Sequence, residues 1–319
     1  MTLSNGGTAI DDLERWFDSY KKQLSGLNFS KNTIELYDRT ILQFIEFIIE
    51  ETNELKILEI RSHHITYFFS YLEQLSKKRG KKPDRAGNYL SNSTKKTYLK
   101  AIKGLFSFIS DNNDELYSFD RIFNNIKIKD NRKAEEKVKH FSQDEIERIL
   151  SVIEKRKSSG SYNDYRNALL FKLMLYAGLR ISEALNVMLD DFLSGDSEEI
   201  YYIEIFGKGG REQFAYIKKK HIEDELNFFR KKIKNDILIM KTSSGEKLHR
   251  VSASIIFNRI YKDAGINKTG LHILRHTFAM RLVKKDTNPL IIKRALRQTN
   301  IETTMIYARA DEEDVAKAI

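Results

Sequence analysis

Apolar side chains recur at helical spacing along most of the chain, so that one face after another is suited to burial. From Ser30 to about Glu50, the residues Ile34, Tyr37, Ile41, Phe44, Ile45 and Ile48 share such a face. A pattern from Ile10 to Leu24 holds the single tryptophan, Trp16, and two more helices are predicted over Ser62–Lys77 and Asn92–Ser110. The connection Arg79–Asn88 is rich in Gly and Lys and contains Pro83, which makes it a loop. Residues 10–126 therefore read as a small helical domain, and the polar, glycine-containing residues 1–9 read as a disordered lead-in. The aromatic residues Tyr67, Phe68, Tyr71, Tyr98, Phe106 and Phe108 are read as packing rather than as a base-stacking platform, because a helical bundle needs such groups inside.

From 127 to 139 the apolar positions thin out and charges of both signs crowd together, the mark of a linker. A second domain then spans 140–319. Ser142-Gln143-Asp144-Glu145 has the spacing of a capping box, so a helix begins there with Ile146, Ile149 and Leu150 inward. A leucine-rich helix over Asn163–Ala177 ends at Gly178, which can take the left-handed conformation that stops helices. Ile200–Phe206 and Gln213–Ile217 are β-branched and aromatic, and they flank a glycine-rich turn as an antiparallel hairpin would. Helices resume afterwards. The fold class is mainly α with a small antiparallel β-sheet, arranged as a helical N-terminal domain and an α+β second domain.

The 319 residues, 41% of them hydrophobic, are enough for two such cores. With no cysteine, the chain has neither disulfides nor a thiolate nucleophile or metal ligand. It lacks a secretory leader and any apolar run of about 18 residues, which reads as a soluble, cytoplasmic protein with no membrane role. The net charge of +10 favours a polyanionic partner. Most of that excess falls in one stretch: Lys77, Lys78, Arg79, Lys81, Lys82, Arg85, Lys95, Lys96, Lys100 and Lys103 stand against Asp84 alone. Such a run would neutralise several phosphates along a duplex, and it would equally serve as a solvated loop and helix face.

Four short segments carry the candidate chemistry: Ala177-Gly178-Leu179-Arg180-Ile181-Ser182-Glu183, Gly207-Lys208-Gly209-Gly210, His272-Ile273-Leu274-Arg275-His276 and Thr303-Thr304-Met305-Ile306-Tyr307. Arg180 follows a glycine turn, and Glu183, one helical turn on, can hold its guanidinium; taken alone the two are an ordinary ion pair. Lys208 sits in a glycine-flanked turn from which a long ammonium can swing into a groove, and the missing Ser or Thr after it argues against a nucleotide-phosphate loop. His272 and Arg275 share one face of a helix while Leu271, Leu274, Phe278 and Leu282 anchor another. Pro289 opens a helix through Leu296, and Thr299-Asn300-Ile301-Glu302 has capping-box spacing ahead of Tyr307. A tyrosine in such a place is, by itself, usually a buried aromatic.

In this order and at these separations the segments resemble the catalytic domain of the tyrosine recombinase (phage integrase) family, most closely its Xer branch, the single-recombinase XerH type included. The resemblance implies that Tyr307 is the nucleophile, that Arg180 and Arg275 stabilise charge on phosphorus, that Lys208 donates a proton and that His272 assists proton removal. His276 belongs to the motif as packing or support beside Glu183. The family pattern has Leu-Gly-His (or Trp) ahead of the nucleophile, whereas here the residues are Leu296-Arg297-Gln298. Gln298 can donate a hydrogen bond but carries no charge, and the extra Arg297 offers a further phosphate contact. The resemblance further implies no cofactor and no metal. It implies double-stranded DNA with a roughly palindromic site, a homotetramer on two such sites, and a DNA translocase as regulator. The helical domain would be the core-binding domain, with the lysine-rich run and Arg211 on DNA and the tail Asp311–Ile319 docking in cis or in trans. A type IB topoisomerase and an inactive DNA-binding relative share much of this pattern.

Overall fold

The computed structural model describes residues 1–3, 8–51, 55–84, 87–128, 138–194, 198–206, 212–232 and 238–298. The expectations placed on Arg85, Lys208, Arg211, the Thr299 capping box, Tyr307 and the tail Asp311–Ile319 lie outside the described residues, as does most of the 127–139 segment. The chain divides into two compact units, Met1–Glu135 and Glu136–Ile319. It is mainly α-helical with one small antiparallel sheet, as the sequence pattern predicts.

The first unit is built on helices α1 (Ala9–Gly26), α2 (Lys31–Glu51), α3 (Ser62–Lys78) and α4 (Asn92–Asn112). Thr8 caps α1: its backbone N–H donates to the Asp11 carboxylate at 2.9 Å, and its hydroxyl accepts from the Asp11 N–H. Trp16, Phe44, Phe47, Phe68 and Phe106 are fully buried, with Phe44 and Phe68 edge to face at 5.3 Å. The aromatic stripe is thus mostly core, although Tyr67 stays exposed. The expected disorder at the very start is corrected for residues 1–3. Leu3 is buried, its N–H donates to Glu115 at 2.9 Å, and the Met1 ammonium pairs with Asp114 at 2.9 Å. One leucine in a polar segment is enough to anchor it.

Within the second unit, α5 (Gln143–Lys157) starts at the predicted capping box, where Ser142 N–H donates to Glu145 at 2.7 Å. Helix α6 (Tyr162–Tyr176) is buried on all sides, from Arg166 through Leu175, and forms the middle of the core. A short helix α7 (Ile181–Ala184) follows the Gly178 turn. Strands β1 (Phe192–Ser194), β2 (Ile200–Phe206) and β3 (Glu212–Lys218) form the sheet in that order, with Ile203 opposite both Phe192 and Ala215. The hairpin pairs as far as Phe206 opposite Glu212, which places Lys208 in its connection, 207–211. Helices α8 (Glu223–Lys232), α9 (Arg250–Asp263), α10 (His272–Val283) and α11 (Pro289–Ala295) complete the unit.

A buried charge cluster binds α5, α6 and α8. Glu225, wholly inaccessible, accepts from Lys157 at 2.5 Å and from Lys172 at 2.7 Å, and Glu154 and Asp224 flank the same ammonium groups. Burial opposes the charge on Lys157, and its hydrogen bonds to Asp224, Glu225 and Glu154 outweigh it and raise the pKa. Two lysines thus offset two of the three carboxylates and tie the three helices together.

Candidate active site

The site grows from the end of α6. Gly178 takes φ +61°, and a Cβ there would strike the ring of Phe278 on α10, so the turn needs glycine twice over. The turn delivers Arg180 to the start of α7. Its backbone N–H donates to Glu183 Oε2 at 2.8 Å and its guanidinium to Oε1 at 2.6 Å, so that one carboxylate fixes both ends of the residue. The Arg180 side chain nevertheless remains 40% exposed, whereas that of Glu183 is 7% exposed. A fixed fork with an open edge can meet a phosphate oxygen.

Arg275 arrives from α10. It is buried, and it donates to the Gly178 carbonyl at 2.5 Å and to the carbonyl of Leu296. Its Nη1 lies 3.8 Å from Glu183 Oε2. The structure therefore brings together Arg180, Glu183 and Arg275, as predicted from separate stretches of sequence.

Arg297 corrects the sequence reading. Instead of offering an exposed phosphate contact it is buried, with its Nη2 donating to the Gly178 carbonyl at 3.1 Å and to Glu183 Oε2 at 2.9 Å, and its Nη1 to Ala295 O at 2.9 Å. Its backbone lies at φ +50°, a left-handed conformation that costs a residue with a Cβ on the order of 1–2 kcal/mol. Arg180 in turn donates to the Arg297 carbonyl at 3.2 Å. Three guanidinium groups thus converge on one carboxylate. Burial would raise the pKa of Glu183, but the charge on Arg297 and the hydrogen bonds from Arg180 and Arg297 hold it below the usual glutamate value.

His272 opens α10, and its Nε2 lies 3.2 Å from Nη2 of Arg250, the first residue of α9. A guanidinium can only donate, so Nε2 accepts and the neutral ring carries its proton on Nδ1. Burial, then the charges on Arg250 and Arg275, push the His272 pKa below the usual histidine value. His276 is lowered too, by burial, His272 and Arg275. Arg250→Ala is expected to raise the His272 pKa toward its ordinary value and to reduce the Nδ1–H tautomer, as read by nitrogen-15 NMR of the ring. An unchanged titration and tautomer would show that the pair does not control the ring. Sequence reasoning missed Arg250, which lies outside the four motifs and meets His272 only through the packing of α9.

Gln298 follows Arg297 and lines a cleft of about 410 Å³ between α11 and β3, along with Phe214, Tyr216, Lys293 and Arg294. Glu212 and Gln213 of β3 line the same cleft as Gln298. In the first unit, Lys77, Lys78, Arg79, Lys81, Lys82, Lys96, Lys100 and Lys103 are exposed. Lys95 is instead paired with Glu73 at 2.7 Å, and Glu73 also accepts from the Tyr89 and Leu90 N–H groups, so this lysine secures the loop that leads into α4.

A buried carboxylate thus gathers arginines from a helix start, a second helix and a late turn, beside a histidine. The model of the phage integrase family matches residues 139–314, more than half of the chain, and the protein belongs to that family. It is similar to the tyrosine recombinase XerH of Campylobacter jejuni, at 31% identity over 235 residues, which is 72% of this chain. That match spans 65% of the relative's length, just under two thirds. It is also similar to a tyrosine recombinase XerC of Staphylococcus aureus, at 25% identity over 91% of this chain and 90% of that protein. In fold it is similar to the crystal structure of XerH bound to a palindromic difH substrate in a post-cleavage complex. The TM-score there is 0.79 at 24% identity, over 99% of this chain and 98% of that one. No helix among the described residues is long and apolar enough to cross a membrane.

Proposed function

We propose that the protein is a site-specific DNA recombinase that cleaves and rejoins strands through Tyr307, with neither metal nor nucleotide cofactor. The observation that carries this reading is the convergence of Arg180 and Arg275 on Glu183 and on the Gly178 turn. Positive charge held rigidly in a partly desolvated site suits the extra negative charge of a pentacoordinate phosphorus. The phenolic oxygen of Tyr307 attacks phosphorus, the bond to the 5′ oxygen breaks, and a 3′-phosphotyrosyl bond keeps the energy for religation. The tyrosine, with an ordinary pKa of about 10, needs help to lose its proton, and the neutral His272 ring fits that task once its Nε2 lone pair is released from Arg250. Lys208 returns a proton to the departing 5′ oxygen, and Gln298 donates a hydrogen bond to a non-bridging oxygen.

The exposed lysines of the first unit, with Arg85 and Arg211, bind the backbone of duplex DNA. The substrate is a roughly palindromic site, two copies of which are held by a homotetramer through exchange or back-folding of the tail. The family match and the likeness to XerH support these assignments. Chromosome dimer resolution or integration, in the cytoplasm and under a DNA translocase, is the corresponding role. The test is to trap the protein on a nicked duplex bearing a candidate site, digest it, and map the attached peptide by mass spectrometry. The expected product is a peptide containing Tyr307 joined to a 3′ phosphate, absent from Tyr307→Phe. An adduct that survives in that variant, or one on a 5′ phosphate, overturns the assignment.

A further inference from the structure

Arg297 breaks three local rules at once. It occupies φ +50° without being glycine, its guanidinium is buried, and its Nε–H has no hydrogen-bond partner among the described residues. Strain of this kind persists only where the surroundings hold it, and it clusters at functional sites. Here the surroundings are the site itself. Arg297 shares the Gly178 carbonyl with Arg275 and Glu183 with Arg180, while its own carbonyl accepts from Arg180.

The sharing changes the electrostatics. Glu183 Oε2 lies 2.9 Å from Arg297 and 3.8 Å from Arg275, so the buried arginine takes the oxygen that Arg275 would otherwise meet. The group of three cations and one anion carries a larger positive field than two cations and one anion would. The next residue along, Gln298, faces the cleft and carries no charge.

The geometry points to Arg297 as a positioning residue for DNA cleavage, which locks the Arg180–Glu183–Arg275 web and supplies the positive charge missing at Gln298. This rests on the proposed phosphotyrosyl chemistry. Arg297→Gly would relax the backbone while removing the guanidinium, so a role in stability alone predicts a folded protein with nearly unaltered chemistry.

The experiment measures single-turnover cleavage at saturating DNA, with melting temperature and DNA affinity recorded for each protein. Arg297→Gly should cleave roughly 100-fold more slowly, since small displacements of catalytic groups cost about that much. Arg297→Lys keeps the charge but not the three-way fork, and should lose about 10-fold. Arg297→Gly combined with Gln298→His, which places a group able to carry charge one residue along, should recover most of the loss. Two results would overturn the proposal: a folded Arg297→Gly protein that cleaves within about twofold of the unsubstituted one, or a loss that Gln298→His leaves untouched. If the unsubstituted protein forms no phosphotyrosyl adduct, the proposal falls together with the reading on which it rests.

Discussion

Arg275→Ala is expected to slow single-turnover DNA cleavage by about 10²- to 10³-fold, the usual loss when one preorganised donor is taken from developing negative charge. DNA affinity should change only a few-fold, because binding draws on the many exposed lysines of the first unit rather than on one buried guanidinium. The side chain also bridges the carbonyls of Gly178 and Leu296, so its removal strips the Leu296 carbonyl of its donor, leaves that of Gly178 with Arg297 alone and lowers stability. The rate must therefore be taken on folded protein, well below the melting temperature. Arg275→Lys separates charge from geometry. A single ammonium cannot span both carbonyls, and its loss should approach that of alanine. Cleavage by Arg275→Ala within about fivefold of the unsubstituted rate would remove Arg275 from the chemistry.

Much of this arrangement is written in local sequence signals, and the rest is set by tertiary contacts. The helices α2 and α4, the Ser142 capping box, the stop at Gly178 and the β2–β3 hairpin all follow from periodicity and turn chemistry. Strand β1 escapes such reading because three residues, Phe192–Ser194, are too short to show alternation. Helix α7 has four residues and exists because Glu183 caps it through Arg180. The joining of Arg180, Glu183 and Arg275 was legible as a set of motifs, but its geometry comes from α10 packing on α6 through the Gly178 turn. Arg297 was legible as an unusual residue and read as a further phosphate contact, since nothing local reveals that its side chain turns inward to Glu183. Lys95 was misread as free for DNA for the same kind of reason, its partner Glu73 lying on another helix.

Glu183→Gln carries the second large effect, because among the described residues its carboxylate faces three guanidinium groups. Gln retains an acceptor for the Arg180 N–H but leaves three like charges uncompensated in a mostly buried space, which costs about 3–5 kcal/mol when one partner of a buried pair is removed. For a unit of this size that lowers the melting temperature by roughly 10 °C. The pH dependence follows from the sign of the shift. Glu183 titrates below its ordinary value of 4.5 in the folded chain, so the stabilisation it brings is fully present above that value and is lost as pH falls through the lower, folded one. The stability gap between the unsubstituted protein and Glu183→Gln should therefore be widest at neutral pH and should close in the acid range below 4.5. Thermal denaturation across that range reads both quantities at once. A gap that stays constant into the acid range would mean that the carboxylate is not the charge that holds the arginines together, and that the web is kept instead by the carbonyls of Gly178, Ala295, Leu296 and Arg297.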